Sequence, residues 1–111
     1  MIRPHLKEFL KRMNKYFEII VFTASHDAYA KAVVDYIDKH RRIIQGYLSR
    51  EHCYHTEDGA YVKDLRVLNR NLKDVVIVDN LVYSYAFQIN NGIPILPFEN
   101  NKNDRELLDL I

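Results

Sequence analysis

The sequence predicts an α/β fold built on an open parallel sheet, and three features predict it. Two short apolar runs, Ile19-Ile20-Val21-Phe22 and Val75-Val76-Ile77-Val78, have the composition of strands buried on both faces. Helical spacings accompany them: Leu6, Phe9, Leu10 and Met13 fall at i, i+3, i+4 and i+7, and Ala30, Val33, Val34 and Ile37 repeat the pattern. Both runs end in polar residues, Thr23 and Ser25 after the first and Asp79 with Asn80 after the second. The carboxyl ends of the strands are where open parallel sheets hold their ligands.

Pro4 opens a helix over residues 4–14, because its fixed φ suits a first helical turn. A strand follows from Glu18 to Thr23. The next helix ends near Ile37, with Ser25 or Asp27 placed to cap it and Asp35, Lys39 and Arg41 on the wet side. From Gly46 the pattern loosens into a β-hairpin insertion of about 46–63. Its short strands are Tyr47-Leu48-Ser49-Arg50, Cys53-Tyr54-His55 and Tyr61-Val62, around a Glu57-Asp58-Gly59 turn. Leu65 to Leu68 reads as a helical turn, Asp74 to Asp79 as the strongest strand, and 83–89 as another turn of helix. Pro94 makes Ile93 to Leu96 an edge strand. Asn103, with Glu106 three residues on, is expected to cap a last helix from Asp104 to Ile111. The whole is a single α/β domain over 1–111, Rossmann-like, with helices on both faces of the sheet.

Composition narrows the function. The 111 residues are 48% apolar and 28% charged, with three Gly and three Pro, which is ordinary for one globular domain and excludes disorder. Sixteen basic against fifteen acidic residues leave a net +1, which removes the general electrostatic case for nucleic acid or an anionic membrane. Neither apolar run approaches the roughly 20 residues of a membrane span, and the first residues show no signal or transit pattern. Cys53 is alone, so an internal disulfide is impossible and a nuclear or cytoplasmic setting is the default. His5, His26, His40, His52 and His55 are scattered, without zinc-ligand spacing. Tyr83 and Tyr85 are expected to pack against the sheet or the insertion.

Chemistry concentrates at the strand tips. Thr23 offers a rotatable hydroxyl donor, Lys63 a compact positive charge, and the Asp79/Asn80 pair hard oxygen ligands of the kind Mg²⁺ takes. Together they form a plausible phosphate cradle. Read singly, the same residues also fit a helix cap and a turn after a strand.

Their order and local wording resemble the carboxy-terminal-domain phosphatase family of the haloacid dehalogenase superfamily, the NLI-interacting-factor-like group. Arg3-Pro4-His5 with Phe9-Leu10, Val21-Phe22-Thr23-Ala24-Ser25, Arg50-Glu51-His52-Cys53, Tyr61-Val62-Lys63-Asp64-Leu65, Val78-Asp79-Asn80 and Asn91-Gly92-Ile93-Pro94 follow that family's pattern in sequence order. The resemblance implies a Mg²⁺-dependent phosphatase acting on phosphoserine or phosphothreonine in a protein through an aspartyl-phosphate. It implies that Thr23 binds phosphoryl oxygens, that Lys63 neutralises phosphate and nucleophile, and that Arg50 reaches the phosphate from the insertion. Asp79 and Asn80 are the implied Mg²⁺ residues.

One part of the pattern is missing. The family's nucleophile strand ends in Asp-x-Asp, and no Asp-x-Asp occurs in this sequence. Asp35 with Asp38 and Asp104 with Glu106 are the nearest spacings, and both read as solvated helical charges. The resemblance therefore implies that the nucleophile, the acid/base and the central strand between the two apolar runs are all absent. A chain without them is expected to be inactive alone. It is also expected to carry a slot of roughly 10 Å between its strongest strands, which must close, fill by strand donation from another chain, or leave the fold unstable. The alternative function is a non-catalytic module binding a phosphoprotein or other protein partner, including a role like that of the mitochondrial presequence-translocase subunit sharing this domain.

Overall fold

A computed structural model describes residues 2–111. Helix α1 (Leu6–Met13) leads into strand β1 (Ile19–Phe22), helix α2 (Asp27–Ile37) and strand β2 (Ile44–Leu48). A 3₁₀ turn at Arg50–His52 precedes the hairpin of β3 (Tyr54–His55) and β4 (Tyr61–Val62). Two further 3₁₀ turns, Leu65–Leu68 and Leu72–Asp74, bring the chain to β5 (Ile77–Asp79). A kinked 3₁₀ stretch over Val82–Asn91 returns it to β6 (Gly92–Pro94), and α3 (Glu106–Asp109) follows.

The strands pair as β1 with β2 in parallel, β5 with β6 in parallel, and β3 with β4 antiparallel. This is the α/β architecture with parallel strands that the sequence predicts, but β1 and β5 are not joined: each belongs to its own two-stranded sheet. A groove of about 630 Å³ lies between them, walled by Ile20 and Phe22 on one side and Val76 and Val78 on the other.

The core divides in the same way. Leu10, Val34 and Ile44 form one buried cluster, with Ile19, Val21 and Ile37 packed against it. Leu65, Ile77 and Tyr85 form the other, with Leu68, Leu72 and Val75. Strand residues on the groove stay incompletely covered, Val76 at 53% exposure and Val78 at 37%. Few ties cross the divide. Arg70 holds Glu18 at the start of β1 through two 3.0 Å bonds. At the chain ends Arg3 grips Asp104 through two oxygens and donates to the Leu96 carbonyl.

Backbone polarity explains why this groove is unlike an ordinary cleft. The Thr23 N–H donates to Leu48 O on β2, so by the alternation along a strand the backbone groups of Ile20 and Phe22 point away from β2, into the groove. Ile95 N–H donates to Asp79 O, which by the same alternation turns the backbone of Val78 toward the groove. Two parallel edges, each with donors and acceptors, face one another.

Several elements differ from the sequence-based expectation. Tyr47 and Leu48 belong to β2 of the main sheet, so only β3 and β4 form the hairpin. Gly46 lies inside that strand opposite Ile20, where its lack of a side chain is not required by any neighbour. β1 is half-buried throughout, because one edge and part of each face front the groove. His26 occupies the N-cap of α2 but its side chain makes no capping bond, while Ser25 N–H donates to Thr23 Oγ1. The last helix starts only at Glu106, whose N–H is received by Asp104 rather than Asn103.

Asp38 and Asp104 are not solvated. Asp38 is buried and accepts the N–H groups of Arg42, Ile43 and Ile44, which turn the chain from α2 into β2. Those backbone donors, the Ile44 N–H foremost, outweigh burial and hold its carboxyl below the usual range. Tyr85 packs in the second cluster, whereas Tyr83 stands half exposed.

Gly92 meets the Tyr85 ring so closely that an added Cβ would lie 2.2 Å from two ring carbons. Gly92→Ala must displace a buried aromatic ring or bend β6. The expected cost is about 1–3 kcal/mol, read as a lower urea midpoint with an unchanged m-value.

Candidate functional site

Lys63 follows β4, and its backbone N–H is received by Ser84 O at 2.7 Å, which fixes where the side chain starts. Its Nζ reaches Asp79 Oδ2 at 2.6 Å, with the two side chains 13% and 7% exposed. Asp79 is the last residue of β5, and its other oxygen accepts the Leu81 N–H at 2.9 Å. A charge-assisted bond of this length, in a partly desolvated place, sets both groups rigidly at the strand tip. Asn80 is adjacent and exposed.

The tip of β1 carries the other half. The Thr23 hydroxyl accepts the Ser25 N–H at 3.0 Å, which orders the turn into α2. Arg50 is tied to that turn twice, by its N–H to Ser25 O and by its Nε to Ala24 O at 2.7 Å. Its guanidinium lies over Tyr61, 4.9 Å from the ring centroid, and beside His26. Among the described residues no carboxylate pairs with it, so it is held by neutral groups rather than as a surface ion pair. Cys53 sits between the two halves, its Sγ against Thr23 O and Ser49 O. Burial pushes its thiol up, while the Lys63 and Arg50 charges act the other way. A thiol held protonated in this way is a packing residue.

The two tips thus carry three cation or hydroxyl donors, Thr23, Arg50 and Lys63, on either side of the open slot. Such an array can bind a tetrahedral anion by hydrogen bonds and charge. Lys63 is already paired with Asp79, and among the described residues the Thr23 hydroxyl is bonded to the Ser25 N–H rather than to a base. For Mg²⁺ the donor set is incomplete: the Asp79 carboxylate is already bonded to Lys63, whereas Mg²⁺ takes six oxygens in near-octahedral array. Among the described residues no cluster of three or more His, Cys, Asp or Glu side chains could hold a metal ion. The residues present do not form a Mg²⁺ site alone.

A supporting layer lies beneath Lys63. Gln88 accepts the Leu65 N–H at 2.9 Å and donates to Asp64 Oδ1 at 2.8 Å, locking the two residues after Lys63. Arg66, chiefly, holds the Asp64 carboxyl at about 2, against the opposing cost of burial. Because the folded value is depressed, this stability is present above the ordinary carboxylate range and is lost as pH falls from about 4 toward about 2. Asp64→Asn should therefore flatten the fall in melting temperature across that window.

Gln88, Tyr61 and His26 escaped sequence reasoning. Gln88 lies 23 residues from the N–H it receives, with no local pattern to mark it. Tyr61 opens one of the motif blocks, but nothing local in the sequence marks it as the ring that Arg50 covers.

Parallel strands with helices, and polar side chains gathered at the tips of β1 and β5, define an α/β domain with its candidate site at the carboxyl ends of the strands. The chain belongs to the NLI interacting factor-like phosphatase family, whose model matches residues 1–111. It is similar to the "CTD small phosphatase-like protein 3" of Caenorhabditis elegans, 49% identical over 109 residues, covering 98% of this chain and 38% of that protein. The human "CTD small phosphatase-like protein" is 46% identical over 110 residues, covering 98% and 39%. The fold matches the structure of Fcp1, an essential RNA polymerase II CTD phosphatase, with a TM-score of 0.73 at 26% identity, over 89% of this chain and 27% of that one. The chain thus spans less than half the length of these relatives. Among the described residues, no helix is long and apolar enough to cross a membrane.

Proposed function

We propose that this chain is the phosphate-recognising part of a protein-serine/threonine phosphatase domain, completed by an additional strand that lies between β1 and β5 and ends in Asp-x-Asp. The observation that carries the reading is the Lys63–Asp79 pair at one strand tip and Thr23 with Arg50 at the other, separated by a groove with an unpaired strand edge on each side. A strand there would bring its carboxylates between the two halves.

In the completed site Thr23 and Arg50 orient the phosphoryl oxygens, and Lys63 neutralises charge that builds on them. Asp79 and Asn80 add to the carboxylates of the incoming strand to hold Mg²⁺, which would stabilise negative charge on the phosphoryl group when bound. The substrate is a phosphoserine or phosphothreonine segment of a protein. The 111 residues alone hydrolyse no phosphoester, because they contain no positioned nucleophile.

The reading is tested by hydrolysis of a phosphoserine peptide, with and without Mg²⁺, by the chain alone and by the chain joined to or mixed with such a strand. Activity only in the completed form, and only with Mg²⁺, supports it. A folded, completed form that remains inactive contradicts it.

A further inference from the structure

Arg50 is anchored by three groups, none of them negatively charged. Its Nε donates to Ala24 O at 2.7 Å, one terminal nitrogen lies 3.1 Å from His26 Nε2, and its plane covers Tyr61. A guanidinium can only donate. A hydrogen bond between Arg50 and His26 at 3.1 Å therefore requires His26 Nε2 to accept, which assigns the ring proton to Nδ1. His26 is exposed.

The groups around it fix the sign of what protonation does. Arg50 faces His26 from the 3₁₀ turn. Tyr61 of β4 lies behind Arg50, with His55 of β3 stacked on its ring at 4.6 Å. Asp27 adjoins His26 on α2, and its charge is spent beside the Tyr47 phenol of β2, which burial and then Asp27 push up. Lys63 acts with Arg50 on the Cys53 thiol, and its own charge is met by Asp79. A proton on His26 removes the acceptor for Arg50 and sets two cations side by side. An anion with oxygens for both converts that repulsion into a joint contact.

We infer that His26 is a proton-gated phosphate contact: with Arg50 it binds a tetrahedral dianion, and the anion binds with uptake of a proton by His26. The inference rests on Arg50 being a phosphate residue, as proposed above. It assigns a further contact and makes affinity depend on pH in a range where substrate phosphate and enzyme both titrate.

Sulfate is the suitable probe, since it stays a dianion where phosphate itself would titrate. The titration of the His26 ring is followed by NMR in the 111-residue chain between about pH 5 and 8, with and without sulfate at matched ionic strength. Sulfate should raise the His26 midpoint by about one pH unit, equivalent to tenfold tighter binding to the protonated form, and leave exposed His40 unmoved. His26→Leu alters an exposed side chain and should leave sulfate affinity nearly flat over the same range, where the unaltered chain weakens about tenfold. Sulfate that perturbs Thr23 and Lys63 but leaves the His26 midpoint in place overturns this inference and spares the cradle. No perturbation at Thr23, Lys63 or Arg50 would remove the cradle itself, and the inference with it.

Discussion

Completing the groove with an apolar strand ending in Asp-x-Asp is expected to yield a Mg²⁺-dependent phosphatase, with a rate gain of about 10⁶ over the chain alone. The magnitude follows from what the strand supplies. It brings a nucleophile, a general acid and metal-binding carboxylates at once, and in hydrolases whose groups act as a unit the loss of one is nearly the loss of all. The same addition should stabilise the fold. It would cover Ile20 and Phe22 from one side and Val76 and Val78 from the other, joining the two halves of the core. Burying several such side chains is worth on the order of 5 kcal/mol, a rise in melting temperature of about 20 °C for a domain this size.

The second large effect is a loss. Lys63→Ala leaves the Asp79 carboxylate, 7% exposed, without the ammonium that meets it at 2.6 Å. Removing one member of a buried pair costs about 3–5 kcal/mol, a large part of the stability of any small domain. The double change Lys63→Met with Asp79→Leu removes both charges and should cost distinctly less. Denaturant unfolding of the two variants reads the difference. If the single and double changes cost the same, the pair is not the organising contact at this strand tip. In the completed enzyme Lys63→Ala should also slow turnover by several kcal/mol of barrier, through loss of charge stabilisation.

What was legible in the sequence follows from where the information is local. β1, α2 and the β5 tip were readable because β-branched runs and 3.6-residue spacing report burial within a few residues. The chain's motif blocks placed Thr23, Arg50, Lys63 and Asp79, and the structure brings Lys63 to Asp79 and Arg50 to the turn after Thr23. The assignment of Tyr47 and Leu48 failed for a physical reason. β2 pairs with a strand 25 residues earlier, and Gly46 within it imitates a boundary. Asp38 misled in a similar way: helical spacing put it on the wet face, but the chain turns back over it and supplies three N–H donors. His26 could not be assigned at all, since its partner Arg50 is 24 residues away.

The open slot was anticipated by the absence of Asp-x-Asp and is drawn by two strand edges that face each other without pairing. Amide hydrogen exchange tests it most directly, at Ile20, Phe22 and Val78, whose N–H groups point into the groove, against Val21 and Asp79, which face their paired strands. The account predicts that the groove-facing amides exchange rapidly in the chain alone and become as protected as their neighbours when the strand is supplied. Groove-facing amides already protected in the isolated chain at low concentration would show β1 and β5 joined, and would contradict it.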